Sequence, residues 1–156
     1  MRLLLLAIGH KMPAWVDAGY REYARRFPQH LKLELVERPA SPWASRGDVA
    51  RGQREEADSL RAAIPRDARV IALDERGSAW TTRQLADRLD QWQLDGRDIA
   101  LLVGGPDGLD PELRASAEQR WSLSPLTLPH PLVRIVVAEQ LYRAHTLLSG
   151  HPYHRD

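Results

Sequence analysis

The apolar run Ile99 to Val103 stops at Gly104-Gly105-Pro106-Asp107-Gly108, and Asp110-Pro111 follows almost at once. A short apolar run bounded by glycines reads as a buried strand, and an Asp cap followed by Pro at the first helical position starts a helix. Strand, tight turn and helix in that order form the unit of a parallel α/β sheet. Glycine takes positive φ and lets backbone approach a ligand closely, so three glycines in five residues at a strand end also mark a binding loop. In the next segment, WSLSPLTLPHPLVR at 121–134, Pro125, Pro129 and Pro131 fix φ around Leu126, Thr127 and Leu128. That stiffened stretch makes a wall opposite the glycine loop.

The rest of the chain repeats the alternation of short apolar runs and helical patterns, which predicts an α/β fold with a largely parallel sheet flanked by helices. Strands are expected over 2–8, 31–37, 69–74, 98–103 and 122–128. Leu31, Leu33 and Leu35 alternate with Lys32 and Glu34, so the second strand has one wet face and lies near a sheet edge. Pro13 opens a helix with Val16, Tyr20, Tyr23 and Phe27 on one face. Asp48 caps a polar helix within 47–64, and Thr82 begins one with Leu85, Leu89 and Trp92 in register. Asp110-Pro111 opens PELRASAEQR at 111–120 as a helix.

The last helix, 132–148, is apolar on nearly every side through Val133, Ile135, Val136, Val137, Leu141, Tyr142, Leu147 and Leu148. Burial on more than one side follows, which predicts a subunit interface and a homodimer. Glu139 on that helix is costly if buried unpaired, so it is expected to bond to a partner chain or to loop backbone. Residues 39–51, rich in Pro, Ser and Gly, read as a solvated connector of low order rather than a flap over substrate.

At 156 residues and 43% hydrophobic content, the sequence fits one domain over 1–156. The opening MRLLLLAIG has too short an apolar run for a signal peptide, and no stretch reaches a membrane span of ~18 residues. A cytoplasmic protein without a membrane partner is expected. The absence of cysteine excludes disulfides, thiolate metal sites and a cysteine nucleophile. Basic and acidic residues nearly balance, 22 against 21, so bulk charge does not announce a nucleic-acid partner. Twenty of the basic residues are arginines, suited to phosphate and to stacking on bases but also enriched by GC-rich coding. Composition leaves RNA binding open.

A glycine loop between strand and helix invites comparison with nucleotide folds, yet GxGxxG and GxxxxGK[ST] are both absent. Pro106 lacks a donor and Asp107 repels an anion, so the loop does not suit a polyphosphate. A neutral or cationic adenosine-containing ligand fits better.

LDERG at 73–77, LDGRDIALLVGGPDGL at 94–109, WSLSPLTLPHPLVRIVVAEQLYRA at 121–144, the ending HPYHRD and the opening GHKMPAWVDAGYREYARRFP together resemble the RlmH (YbeA-type) family. These are ribosomal RNA methyltransferases of the SPOUT superfamily, and the likeness spans essentially the whole chain. The resemblance implies a parallel α/β sheet with a C-terminal deep trefoil knot, a homodimer, and S-adenosylmethionine as methyl donor. It places donor binding on Leu73, Gly104, Leu123, Ser124, Pro125, Leu126, Thr127 and Leu128. Leu73, Leu126 and Leu128 would wall the adenine, while backbone groups of the two loops read its edge.

The implied reaction is methylation of N3 of a pseudouridine in 23S ribosomal RNA on the assembled ribosome. It needs in-line positioning, removal of the N3 proton and balance of the resulting charge, and no metal. Arg143 on the last helix and Arg155 in the tail are candidates to balance charge or hold a phosphate. His151, Tyr153 and His154 belong to a tail expected to fold over the pocket, where a histidine near its ordinary pKa takes a proton. His151 and His154 alone make a thin metal site. His130, between two prolines, reads as a structural loop residue. A charge of +1 does not hold naked RNA tightly, so a composite surface on the ribosome is expected, arginines of one subunit serving the other's pocket. The competing functions are a non-catalytic ribosome-associated factor with the same fold and a SPOUT enzyme acting on another RNA position.

Overall fold

The computed structural model describes residues 1–153 of the chain. Five strands, β1 (Arg2–Ile8), β2 (Lys32–Arg38), β3 (Arg69–Ala79), β4 (Ile99–Val103) and β5 (Gln119–Ser122), form one sheet in the order β2-β1-β4-β3-β5. Every pairing is parallel. β4 is buried at all five positions between β1 and β3, and β2 lies at the edge with Lys32 exposed. Both placements match the sequence patterns, continuous apolar for the centre and alternating for the edge.

Because successive strand residues point to opposite faces, the sheet sorts its apolar side chains into two clusters. Leu3, Leu5, Ile71, Ile99 and Leu101 meet residues of α1 (Ala14–Ala24), α3 (Thr82–Asp95) and α5 (His130–Ser149) on one face. Leu4, Leu6, Ala72, Ala100 and Leu102 meet α2 (Val49–Ala63) and Leu113 of α4 (Pro111–Ser116) on the other. α5 packs against both α1 and α3 as well as the sheet, with Val137, Ala138, Leu141 and Ala144 wholly buried. Neighbours within the same chain thus account for much of its all-round apolarity. A fully buried Arg134 locks it down: the guanidinium donates to Glu37 Oε2 at 2.6 Å and to the Gly9 carbonyl at 2.8 Å.

Helix starts follow the capping chemistry. Thr81 and Gln84 form a reciprocal capping box at α3, and the Asp48 side chain accepts from the Arg51 amide at α2. Asp110 Oδ2 accepts from the amides of both Glu112 and Leu113 at 3.1 Å, with Pro111 at the first helical position. Asp110→Ala is expected to cost about 1 kcal/mol of stability, the usual worth of such a cap, read as a shifted urea midpoint with unchanged slope.

Four expectations need correction. The helix from Pro111 ends at Ser116, because Gln119 and Arg120 are drawn into the ladder opposite Ile71 and Ala72. The fifth strand is accordingly 119–122, and 123–128 is a loop, held by the Ser124 hydroxyl accepting from the Leu126 amide. Residues 39–51 are tied down: the Ser41 amide donates to Glu56, its hydroxyl donates to Glu55, and the Arg51 guanidinium lies 3.5 Å from the Trp43 ring centroid. Glu139 is satisfied within its own chain, by Arg143, Gln140 and Tyr153.

Candidate functional site

β3 does not run straight to its end. Leu73 and Ser78 both pair with Trp121, so Asp74, Glu75, Arg76 and Gly77 leave the ladder as a four-residue excursion. That excursion, the glycine loop after β4 and the 123–128 loop after β5 all emerge at the carboxyl ends of parallel strands, where ligand crevices of open α/β sheets form. Between them lies a cavity of about 670 Å³, within the range of small-molecule sites. Its floor is Val103 and Trp121, and the start of α5 closes one side with His130 and Val133.

Seven of the eight residues expected to bind the donor border this cavity: Leu73, Gly104, Leu123, Ser124, Leu126, Thr127 and Leu128. Pro125 does not border it and is exposed, so its part is to stiffen the loop. Leu126 is 71% exposed, an apolar side chain held at the cavity rim. The glycine loop closes on itself tightly. A Cβ at Gly104 would stand 2.6 Å from the Gly108 carbonyl carbon and 2.7 Å from the Leu109 amide nitrogen. Gly108 has φ of +78°, and its amide donates to the Gly105 carbonyl to complete the turn.

The cavity also has charged walls that the sequence patterns did not single out as site residues. Asp74 is about 6% exposed at its side chain, one oxygen accepting from the Arg76 amide and the other without a hydrogen-bond partner among the described residues. Arg114 Nε stands 3.7 Å from that second oxygen. The Thr127 hydroxyl donates to Glu75 across 3.2 Å, joining the excursion to the 123–128 loop. The only signal in the sequence was three consecutive charged residues after a buried strand. His130 is the first residue of α5 rather than a loop residue, and it faces the cavity. Its Nδ1 is buried without a hydrogen-bond partner among the described residues; burial, and then the Arg134 charge, hold the imidazole below the usual histidine pKa.

Arg143 and Tyr153 gather elsewhere. They lie toward the other end of α5 from the cavity, since Val133 and Arg143 are ten residues, roughly 15 Å, apart along the helix. The Tyr153 hydroxyl donates to Glu139 at 2.8 Å, its ring lies 4.8 Å from that of Tyr142, and the guanidinium groups of Arg143 and Arg26 sit over it. Burial and the Glu139 hydrogen bond push the Tyr153 phenol up to about 12. His151 turns back at Gly150, its amide donating to the Thr146 carbonyl and its Nδ1 accepting from the Tyr153 amide. The described part of the tail therefore packs on the end of α5 and not over its own chain's cavity, because Tyr153 finds aromatic and charged partners there. His154 and Arg155 lie outside the described residues. No three metal-ligating side chains cluster and no helix is long and apolar enough to cross a membrane, among the described residues.

Comparison with known proteins agrees with this architecture. The family model described as "Predicted SPOUT methyltransferase" matches residues 1–154. Proteins named ribosomal RNA large subunit methyltransferase H from Marinomonas sp. (strain MWYL1) and Pseudomonas putida (strain W619) are each 56% identical over 155 residues. Both alignments cover 99% of this chain and all of the relative. Among solved structures, a probable methylase family protein from Haemophilus influenzae Rd KW20 superposes with a TM-score of 0.54 at 15% identity, covering 99% of this chain and 70% of that one. A putative methylase family protein from Neisseria gonorrhoeae gives 0.52 at 16% identity, with 98% and 94% covered. At such identities the structures speak to the fold alone, whereas the full-length sequence matches fix the kinship: the chain belongs to the RlmH-type family of SPOUT methyltransferases.

Proposed function

We propose that this protein transfers a methyl group from S-adenosylmethionine to N3 of a pseudouridine in 23S ribosomal RNA on the assembled ribosome. One observation carries the reading. Seven residues expected from the family resemblance border a single cavity, with apolar side chains and a backbone loop but no phosphate cradle. Leu73, Leu123 and Leu128 suit a flat adenine, and the backbone of two loops bordering the cavity suits its polar edge. The buried oxygen of Asp74 that accepts no hydrogen bond among the described residues, with only Arg114 at 3.7 Å, leaves acceptor capacity for a cationic or amino-bearing ligand. Relatives named for methylation of large-subunit ribosomal RNA support the substrate class.

When bound, the donor supplies an already activated methyl group on a sulfonium. The protein's share is placement and proton handling. The glycine loop and the 123–128 wall hold the donor in line with an incoming base, which is the larger part of the rate for a bimolecular transfer. The N3–H must lose its proton as the bond to carbon forms, and positive groups must balance the charge left on the ring. Within one chain Arg143 and Tyr153 stand too far along α5 to serve. A homodimer in which the α5 end and tail of one subunit reach the cavity of the other brings Arg143, His151, Tyr153, His154 and Arg155 to the base. The C-terminal deep trefoil knot, the single-domain organisation and a cytoplasmic location belong to the same proposal.

Calorimetry should show S-adenosylmethionine binding, and intact ribosomes should accept the methyl group where free subunits do not. Mass spectrometry of 23S RNA from a deletion strain should show one pseudouridine without its methyl group; an intact modification there would refute the assignment. A binding-only factor would show neither activity. Mixed dimers of a Gly104→Trp chain with an Arg155→Ala chain should regain activity absent from either parent, because one pocket keeps both intact parts. Activity no better than the parents' would show that the site is not shared.

A further inference from the structure

Across the stacked pair Trp80 and Trp121 from the cavity lies a second, mostly polar concavity of about 390 Å³. The two hollows share Arg76, which borders both. The β3 excursion builds the second one. A Cβ at Gly77 would fall 2.6 Å from the Arg120 carbonyl, so the excursion lies directly on β5 and sets Arg76 beside Arg120. Arg88 enters from α3 with its guanidinium carbon 4.2 Å from the Trp80 ring centroid.

These three arginines differ from their neighbours in one respect. Arg69 and Arg97, just outside the groove, are neutralised by Asp95 and Glu118. Arg76, Arg88 and Arg120 have no carboxylate within ion-pair distance among the described residues. Glu118 is the one acidic residue on the groove wall among the described residues, and Arg97 holds it with two 3.1 Å hydrogen bonds while Arg69 takes it at 3.1 Å. Three uncompensated cations around a polar hollow, one of them fixed by stacking, make a site for oxyanions. Trp80 is already engaged by Trp121, Trp92 and Arg88, so the groove has no open ring on which to stack a base.

We propose that this groove holds the phosphodiester backbone of the RNA strand that delivers the target base to the neighbouring cavity. The proposal rests on the reading of the chain as a ribosomal RNA methyltransferase. Contacts of this kind position a strand without reading its sequence, so they act on affinity and not on the choice of base.

The test compares the wild-type protein with an Arg88→Gln/Arg120→Gln double variant and with Arg88→Lys/Arg120→Lys. Binding to purified intact ribosomes is measured over a range of KCl, with S-adenosylmethionine binding measured separately by calorimetry. Two lost contacts should make log affinity against log salt shallower by about 1.4, at roughly 0.7 per single-strand phosphate. The ribosome KM should rise while donor affinity and kcat at saturating ribosomes hold, and the lysine pair should keep the wild-type slope. An unchanged slope in the glutamine pair would overturn the proposal. If that pair fails to fold, Arg120→Glu at an exposed position serves, and wild-type affinity at low salt would be equally fatal. Ribosome binding with the expected slope change but no methyl transfer by the wild type would sink the enzymatic reading and leave the groove standing.

Discussion

Gly104→Ala is expected to slow methyl transfer by about a hundredfold and to weaken donor binding, while the protein stays folded. The added Cβ would sit 2.6 to 2.9 Å from three backbone atoms of Gly108 and Leu109. No flexible side chain is there to swing aside, so the loop itself must move by something near an ångström. A displacement of that size in positioning groups costs on the order of 10² in rate. Gly104 is not at positive φ, which makes the effect steric and not conformational. Gly96→Ala is the matched control. It sits at φ of +82° with open space around it, so it carries only left-handed strain of roughly 1 kcal/mol and should bind donor like wild type. Calorimetric titration with S-adenosylmethionine reads both variants. Donor affinity within threefold of wild type for Gly104→Ala would remove the glycine loop from the site.

Arg134→Ala should destabilise the protein by about 3 kcal/mol in urea denaturation. Removing one member of a buried pair typically costs about 3 to 5 kcal/mol, and the low end applies because Glu37 is one-third exposed and can rehydrate. The Gly9 carbonyl also loses its 2.8 Å donor, and a void opens where a fully buried side chain had been. Gly9 directly follows β1 and Glu37 lies on β2, so the loss frees α5 from the sheet just where His130 and Val133 close the cavity. Donor binding should therefore weaken along with stability. Arg134→Lys should recover part of the loss, since an ammonium can meet one partner well but not fork between two. A change below about 1 kcal/mol for the alanine variant would mean that α5 is held by apolar packing alone.

The two variants probe features of unequal legibility. Gly104 stood out because glycine spacing after an apolar run has few meanings. Arg134 did not, since an arginine within an apolar helix pattern reads the same whether its fork meets water or Glu37. The β3 excursion was hidden for a related reason. LDERG looks like a strand end followed by a charged turn, and nothing local reveals that Ser78 resumes the ladder opposite the residue Leu73 already faces. The fifth strand was misplaced because PLTL has the apolar, β-leaning character of a strand while QRWS does not. Pairing with Ile71 and Ala72 decided the matter against local preference.

The sequence by itself determined the alternation of strands and helices, the buried centre at β4, the edge at β2, the caps at Asp48 and Asp110, and kinship with the SPOUT methyltransferases. These follow from short-range periodicity, from cap chemistry, or from matches along the whole chain. Only the tertiary structure decided which charged groups face the cavity, that Tyr153 turns back to bond Glu139 of α5, and that three arginines without a carboxylate partner among the described residues share one groove. Such facts depend on which residues distant in the chain come within a few ångströms, and a carboxylate within that distance changes an arginine from a free site into a closed pair.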